Sequence, residues 1–265
     1  MLLLIGIYLA AGAVAGILAG LMGIGGGLVI VPMLVYCFSL QDIDQAHIMH
    51  LALGTSLASI IFTSVSSFMA HHRRRAVHWD IVRQIVPGII AGTLAGAYLA
   101  SLLSTDVLQG IFGLFLYYVA LQMFLNRKPQ ASRTLPGTTG MLGAGGLIGV
   151  VSSLLGIGGG TLSVPFMMWC NITVHHAIGT ASAIGFPIAV AGTAGYILTG
   201  LQTAGLPAFT VGYVSLPALL GIVSASILTA PLGARLAHWL PVAQLKRIFA
   251  VLLLLVGSTM LAGLF

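Results

Sequence analysis

Long apolar runs separated by short polar breaks set the pattern of this chain. Ten apolar segments can be marked: Leu2–Leu21, Leu28–Ser39, His47–Met69, Ile81–Leu103, Val107–Leu125, Thr139–Leu155, Thr161–Trp169, Ala177–Thr199, Phe209–Ala237 and Val242–Leu264. Eight approach the length needed to cross the ~30 Å hydrocarbon core of a bilayer as a helix. The second and seventh, Leu28–Ser39 and Thr161–Trp169, are too short. At ~1.5 Å per residue they reach roughly halfway through that core. Each follows a glycine cluster, which predicts two helical hairpins that dip into the membrane, or two broken helices.

Composition agrees with this class. Hydrophobic residues make up 58% of the chain and charged residues 5%, with a mean hydropathy of +1.10, whereas a soluble domain carries about 25% charged residues. The net charge of +6 does not indicate nucleic acid, because the basic residues sit in short loops between apolar spans, where orientation in the membrane accounts for them. Taking Arg73, Arg74 and Arg75 as cytoplasmic and counting spans puts Arg83, Arg127, Lys128, Arg133, Arg235, Lys246 and Arg247 on the same side. Asp42, Asp44 and Asp106 then fall outside, and only Asp80 joins the basic side. Both termini become external. The N-terminal MLLLIGIYLAAGAVAG lacks the basic start of a signal peptide and is expected to be a retained structural helix.

The chain also repeats itself. LMGIGGGLVIVP at 21–32 matches LLGIGGGTLSVP at 154–165 with an offset of 133. HLALGTSLA, from His50 to Ala58, matches HHAIGTASA, from His175 to Ala183, with an offset of 125. A weaker match sets IVPGII around Pro87 beside SLPALL around Pro217. Because the first half begins outside and the second inside, the halves are inverted. The expected fold is an all-α polytopic membrane protein of two inverted repeats, each a broken or re-entrant helix pair plus three transmembrane helices. Residues 1–126 form the first repeat, 127–138 a cytoplasmic linker and 139–265 the second repeat. Inverted repeats with interrupted helices are a transporter architecture, with substrate held near the midplane between them. The same inversion puts Cys37 and Cys170 on opposite sides, so no disulfide is expected between them.

The glycine loops are the first candidate site. Consecutive glycines permit positive φ and bring bare backbone to a surface. They precede a short helix whose first N–H groups lack partners and whose end carries partial positive charge, an arrangement that binds anions. Gly23, Gly25, Gly26 and Gly27, with Gly156, Gly158, Gly159, Gly160 and Thr161, are therefore candidate substrate-binding residues. Glycines also serve close helix packing, which is the reading for Gly12, Gly16 and Gly20 and for Gly92 and Gly96. The second candidates are the hydroxyls of Thr55, Ser56, Thr180 and Ser182, which can donate to anion oxygens or bond within their own helices. The repeat-equivalent His50 and His175 are candidate gate or proton-sensing residues. His71, His72 and His78 read as part of the orientation signal.

No Asp, Glu, Lys or Arg lies in the middle of any span, which argues against a carboxylate relay of the kind proton-driven pumps bury. There is no nucleotide-binding motif and no nucleophile–base pair for an intramembrane hydrolase, so no enzyme activity, cofactor or metal is expected. The paired motifs LMGIGGGLVIVPML and LLGIGGGTLSVPFM resemble those of the TauE/SafE family of sulfite exporters, also called the TSUP family, and the resemblance covers essentially the whole chain. It implies a bacterial inner-membrane transporter exporting a small anion, sulfite or a small organosulfonate such as sulfoacetate. An importer or channel for another small anion on the same scaffold is the alternative. The partners implied are the anion and the lipid bilayer, not nucleic acid.

Overall fold

The computed structural model describes residues 2–22, 26–41, 43–125, 133–239 and 242–263. Ten helices are assigned in this order: α1 Leu2–Met22, α2 Gly27–Ser39, α3 Gln45–Arg73, α4 Trp79–Ser101, α5 Thr105–Leu125, α6 Thr138–Leu154, α7 Gly160–Trp169, α8 Val174–Gly200, α9 Leu216–Trp239 and α10 Val242–Ala262. A two-residue antiparallel ribbon, β1 Thr210–Val211 with β2 Val214–Ser215, precedes α9. The protein is an all-α polytopic membrane protein. α3, α4, α5 and α8 are each long and apolar enough to cross a bilayer. Leu114, Leu147, Leu198, Leu220, Leu228 and Leu255 stand within helices and are at least 64% exposed, an apolar exterior suited to lipid.

The ten helices match the ten apolar segments, with one difference. The ninth segment was expected to begin at Phe209, but α9 begins at Leu216 and the ribbon occupies the preceding residues. The weak match around Pro87 and Pro217 has no structural counterpart. Pro87 lies in the third turn of α4, whereas Pro217 is the second residue of α9.

Small residues decide which helices meet. A Cβ on Gly12 of α1 would lie 2.6 Å from the Ile222 carbonyl oxygen of α9, and one on Gly16 would lie 2.7 Å from Ser226 Cα. In α4, Gly88, Gly92 and Gly96 face Leu142, Gly146 and Val150 of α6 in the same four-residue rhythm. α1 thus runs parallel to α9, and α4 parallel to α6, each pair in backbone contact through glycine. Where lipid is as apolar as leucine, close backbone approach of this kind is a main source of helix association. The contacts of Gly20 lie outside the described residues.

α3 and α8 run antiparallel through the centre. Leu57 packs on Gly192 and Ser64 faces Gly185. α5 and α10 are also antiparallel: Gln109 Nε2 donates to the Met260 carbonyl at 2.6 Å, while the Tyr117 and Ser258 hydroxyls are 2.6 Å apart. The two short helices return to the end from which their partners start. Gln41, just past α2, donates to Tyr8 Oη of α1 at 2.8 Å. Arg133, before α6, stacks its guanidinium 4.7 Å from the ring of Trp169, the last residue of α7. α1–α2 and α6–α7 are therefore helical hairpins.

Charge separates along the long axis. Asp44, which caps α3, and Asp106 in the first turn of α5 lie at one end, joined by the Thr105 hydroxyl donating to Ala46 O at 2.7 Å. Arg73, Arg74, Arg75 and Arg83 lie at the other end with Asp80. Asp42, Arg127 and Lys128 lie outside the described residues. Both cysteines are buried free thiols, Cys37 on α2 and Cys170 after α7.

The α4–α6 seam makes the first prediction. A Cβ at Gly92 would collide with the Gly146 carbonyl, so Gly92→Val forces the helices apart. Overpacking costs about 1–3 kcal/mol in well-packed cores. The variant is expected to unfold at lower temperature than the parent in detergent, measured by tryptophan fluorescence. An unchanged unfolding midpoint would contradict the seam.

Candidate functional site

The site is built where the two hairpin tips touch. Gly27, the first residue of α2, packs on the second glycine loop, where a Cβ would lie 2.8 Å from Gly156 O and 3.0 Å from Ile157 Cα. Gly156 and Gly159 have φ of +60° and +73°, in the left-handed region that glycine occupies without steric cost. Gly26 has φ of −26°, so the expectation of positive φ holds at these second-loop positions and not at Gly26. Gly23 and Gly25 lie outside the described residues.

The two short helices begin alike. Gly26 O accepts from Val29 N–H at 3.0 Å and Ile30 N–H at 2.9 Å; Gly159 O accepts from Leu162 N–H at 3.0 Å and Ser163 N–H at 2.8 Å. No side chain caps either end. Among the described residues, the N–H groups of Gly158, Gly159, Gly160 and Thr161 meet no acceptor, and neither do those of Gly27 and Leu28. These are the donors that every helix leaves at its start. In a membrane interior no bulk water relieves them. Gly159 in the left-handed conformation followed by the helical Gly160 also forms the concave pair of N–H groups that cradles anions.

Two isoleucines cover part of this surface. Ile60 of α3 would lie 3.1 Å from a Cβ at Gly158, and the Ile188 side chain of α8 occupies the space beside Gly159. Beneath Gly159 lies Ser152 of α6, with Oγ 3.6 Å from the Cβ position. The side chain of Ser152 is fully buried and its Oγ has no partner, as is true of Ser153 next to it and of Thr93 on α4. Sequence reasoning missed Ser152, Ser153, Ile60 and Ile188. The repeat gave no help, because Ser152 and Ser153 match Ala19 and Gly20 in the first half.

The predicted hydroxyls separate into different roles. Ser56 Oγ donates to Gly156 O at 2.8 Å and so braces the second loop. Ser182 is half-buried and donates to Gly179 O of its own helix at 2.7 Å. Thr55 and Thr180 are fully buried, and their hydroxyls are engaged elsewhere. Thr55 Oγ1 accepts the Ser215 N–H at 3.0 Å, just before α9, while Thr180 Oγ1 accepts the His78 N–H at 3.0 Å, just before α4. Gly54 rests against the Tyr213 carbonyl and Gly179 against the Ala76 carbonyl. Each Gly–Thr pair therefore clasps the entering backbone of a helix from the other half. The two clasps correspond residue for residue, although nothing in the sequence pairs 76–78 with 213–215.

The histidines are not equivalent in space. His50 is buried, with Nε2 3.0 Å from Ala100 O and its ring stacked on Tyr213 at 5.0 Å. His175 is exposed. Its neighbour His176 makes the inward contacts instead, to Ala76 O at 3.3 Å and to the His78 ring at 4.5 Å.

The polar glycine loop thus lies between hairpin tips inside a largely apolar protein. A profile of the sulfite exporter TauE/SafE family matches residues 8–260. The chain belongs to the TauE/SafE family. It is similar to a probable membrane transporter protein of Haemophilus influenzae, 38% identical over 251 residues that cover 94% of this chain and 95% of that one. It is also similar to the probable membrane transporter proteins YdhB and YunE of Bacillus subtilis, at 30% and 27% identity. Those alignments cover 87% and 94% of this chain, and 89% and 94% of the relatives. No solved structure matches. The protein is a membrane transporter of this family.

The clasps yield the second prediction. Thr55→Val and Thr180→Val keep the side-chain shape and remove the acceptor, leaving a buried N–H at Ser215 or His78 unpaired. Such a loss costs about 1–3 kcal/mol. Hydrogen exchange is expected to quicken at the Ser215 amide in Thr55→Val and at the His78 amide in Thr180→Val. Unchanged exchange at both amides would show that the clasps do not hold these segments.

Proposed function

We propose that the protein exports a small anion, sulfite or a small organosulfonate, across the bacterial inner membrane through a midplane site between two inverted halves. The observation that carries this reading is the tip-to-tip meeting of α2 and α7, whose uncapped N-termini bring N–H groups unpaired among the described residues to one uncharged centre. A helix N-terminus contributes about 0.3–2 kcal/mol to a nearby negative charge. Two such ends with hydroxyl donors offset part of an anion's desolvation without a buried Arg or Lys. The loops Gly23 to Gly27 and Gly156 to Thr161 form the site, with Ser56 as its brace.

The inverted arrangement, with halves 1–126 and 139–265 joined by the 127–138 linker, is supported by the antiparallel α3–α8 and α5–α10 pairs and by the matched Gly–Thr clasps. The arginine-rich end faces the cytoplasm by the positive-inside rule, which leaves both termini on the periplasmic side. Export is favoured over import because no ionisable carboxylate lies within a span to couple inward flux. The inside-negative potential instead drives an anion out, with about 2.3 kcal/mol per charge per 100 mV.

Gly159→Val is expected to abolish sulfite flux in proteoliposomes. A β-branched residue there is strained at φ of +73° and collides with Ile188. Because that variant can also misfold, Ser152→Ala is measured beside it; it removes a hydroxyl without adding bulk and is expected to slow flux while leaving the unfolding midpoint unchanged. Parent-like flux in both variants would remove the glycine loop from the site. Separately, collapsing the membrane potential while keeping the pH gradient is expected to slow net sulfite export. Dependence on the pH gradient alone would instead indicate a proton carried with the substrate.

A further inference from the structure

The second glycine loop carries two independent signs of a ligand. Its N–H groups from Gly158 to Thr161 are unpaired among the described residues, and a fully buried, unpartnered Ser152 hydroxyl lies against Gly159 on the same centre. All of these donors are neutral. The side chains packed around the loop, Leu53, Ser56, Ile60 and Ile188, bring no charge either.

Resting on the anion-site reading above, we propose that this site selects its substrate by charge, taking a singly charged oxyanion and rejecting a doubly charged one, with the Ser152 hydroxyl as a direct donor to it. The selection is electrostatic. The cost of taking an ion out of water rises with the square of its charge, so a dianion pays about four times what a monoanion of the same size pays. Attraction to fixed dipoles, N–H and O–H alike, rises only in proportion to the charge. A site with a fixed cation could close that gap. One built from these few glycine N–H groups and a serine hydroxyl leaves it open.

The substrate class within the anion reading is then hydrogen sulfite or a short alkylsulfonate. Sulfate, the sulfite dianion and a sulfonate bearing a second carboxylate, such as sulfoacetate, are discriminated against. Hydrogen sulfite loses its proton near neutrality, so the site also reads cytoplasmic pH through its substrate rather than through a titrating side chain.

The test is binding to the purified full chain in detergent by titration calorimetry, with methanesulfonate, sulfate and sulfite as probes. Methanesulfonate is expected to bind at least about tenfold more tightly than sulfate, a preference equivalent to one factor of ten in Kd. Its affinity is expected to stay flat across neutral pH, while affinity for total sulfite falls as pH rises through the second ionisation. Ser152→Ala is expected to weaken methanesulfonate several-fold with an unchanged unfolding midpoint. Sulfate binding as tightly as methanesulfonate overturns the charge rule, and Ser152→Ala matching the parent overturns the role of that hydroxyl. If Gly159→Val, properly folded, binds methanesulfonate like the parent, or the parent binds no anion, the underlying site reading falls as well. If Gly159→Val loses binding while the parent shows no charge preference, the site stands and only the selection by charge is lost.

Discussion

Everything here turns on the requirement that backbone N–H and C=O groups in a membrane find partners within the protein. Eight of the ten helices meet it in the usual way, by continuing. α2 and α7 do not, because each is short and begins at a glycine without a side-chain cap. The loop before α7 survives because it packs against Gly27, α3 and α8, with the Gly156 carbonyl taken up by Ser56. The first N–H groups of α7 are left over. A soluble protein would cap them with an aspartate or serine. Here both cap positions are glycine and no side chain serves. An uncapped helix end left polar within an apolar fold is an unmet demand, and it is the demand on which the proposed anion site rests.

Glycine serves three separable purposes in this chain. At Gly12, Gly16, Gly88, Gly92 and Gly96 it removes the side chain so that helix backbones can touch. At Gly156 and Gly159 it supplies a left-handed backbone. At Gly54 and Gly179 it lets a threonine reach the strand or loop beside it. Sequence shows all of these as the same letter. Spacing separated the first group except Gly88, since four-residue intervals read as packing, and the proline-terminated clusters marked the second. The third looked like a ligand motif, because a repeated Gly–Thr in two halves is what a shared binding site would also leave behind. What distinguishes a clasp from a ligand contact is the identity of the partner, and that partner is distant in sequence: Ser215 for Thr55 and His78 for Thr180.

The fold was largely legible, and for a physical reason. Helices in lipid must be long, apolar and continuous, so their number and approximate ends follow from hydropathy alone, and the two exceptions announced themselves by being short. The start of α9 was misplaced because the apolar ribbon residues before it, such as Val211 and Val214, look no different from a span. The site was legible only where it repeats. Ser152, Ser153 and the sealing isoleucines have no matching chemistry in the other half, so the asymmetry that comparison of the halves discards is where these residues lie. His50 and His175 show the converse, being equivalent in sequence and unlike in environment, one buried against Tyr213 and the other exposed.

The clasps tie this centre to the ends of the molecule. α3 carries, within two turns, Thr55 holding the segment before α9, Ser56 holding the second glycine loop, and Ile60 covering it. α8 carries Thr180 holding the segment before α4, Gly185 against the Gly158 carbonyl, and Ile188 covering Gly159. A shift of either helix along the other would move a seal and a clasp together. Because α3 and α8 are antiparallel, the clasp on α3 lies toward the acidic end and the clasp on α8 toward the basic end. A carrier needs its two sides to open in alternation and never at once. Two antiparallel helices, each linking the glycine loop to one end, are on the proposed reading the mechanical route to that rule, with no buried charge to throw the switch.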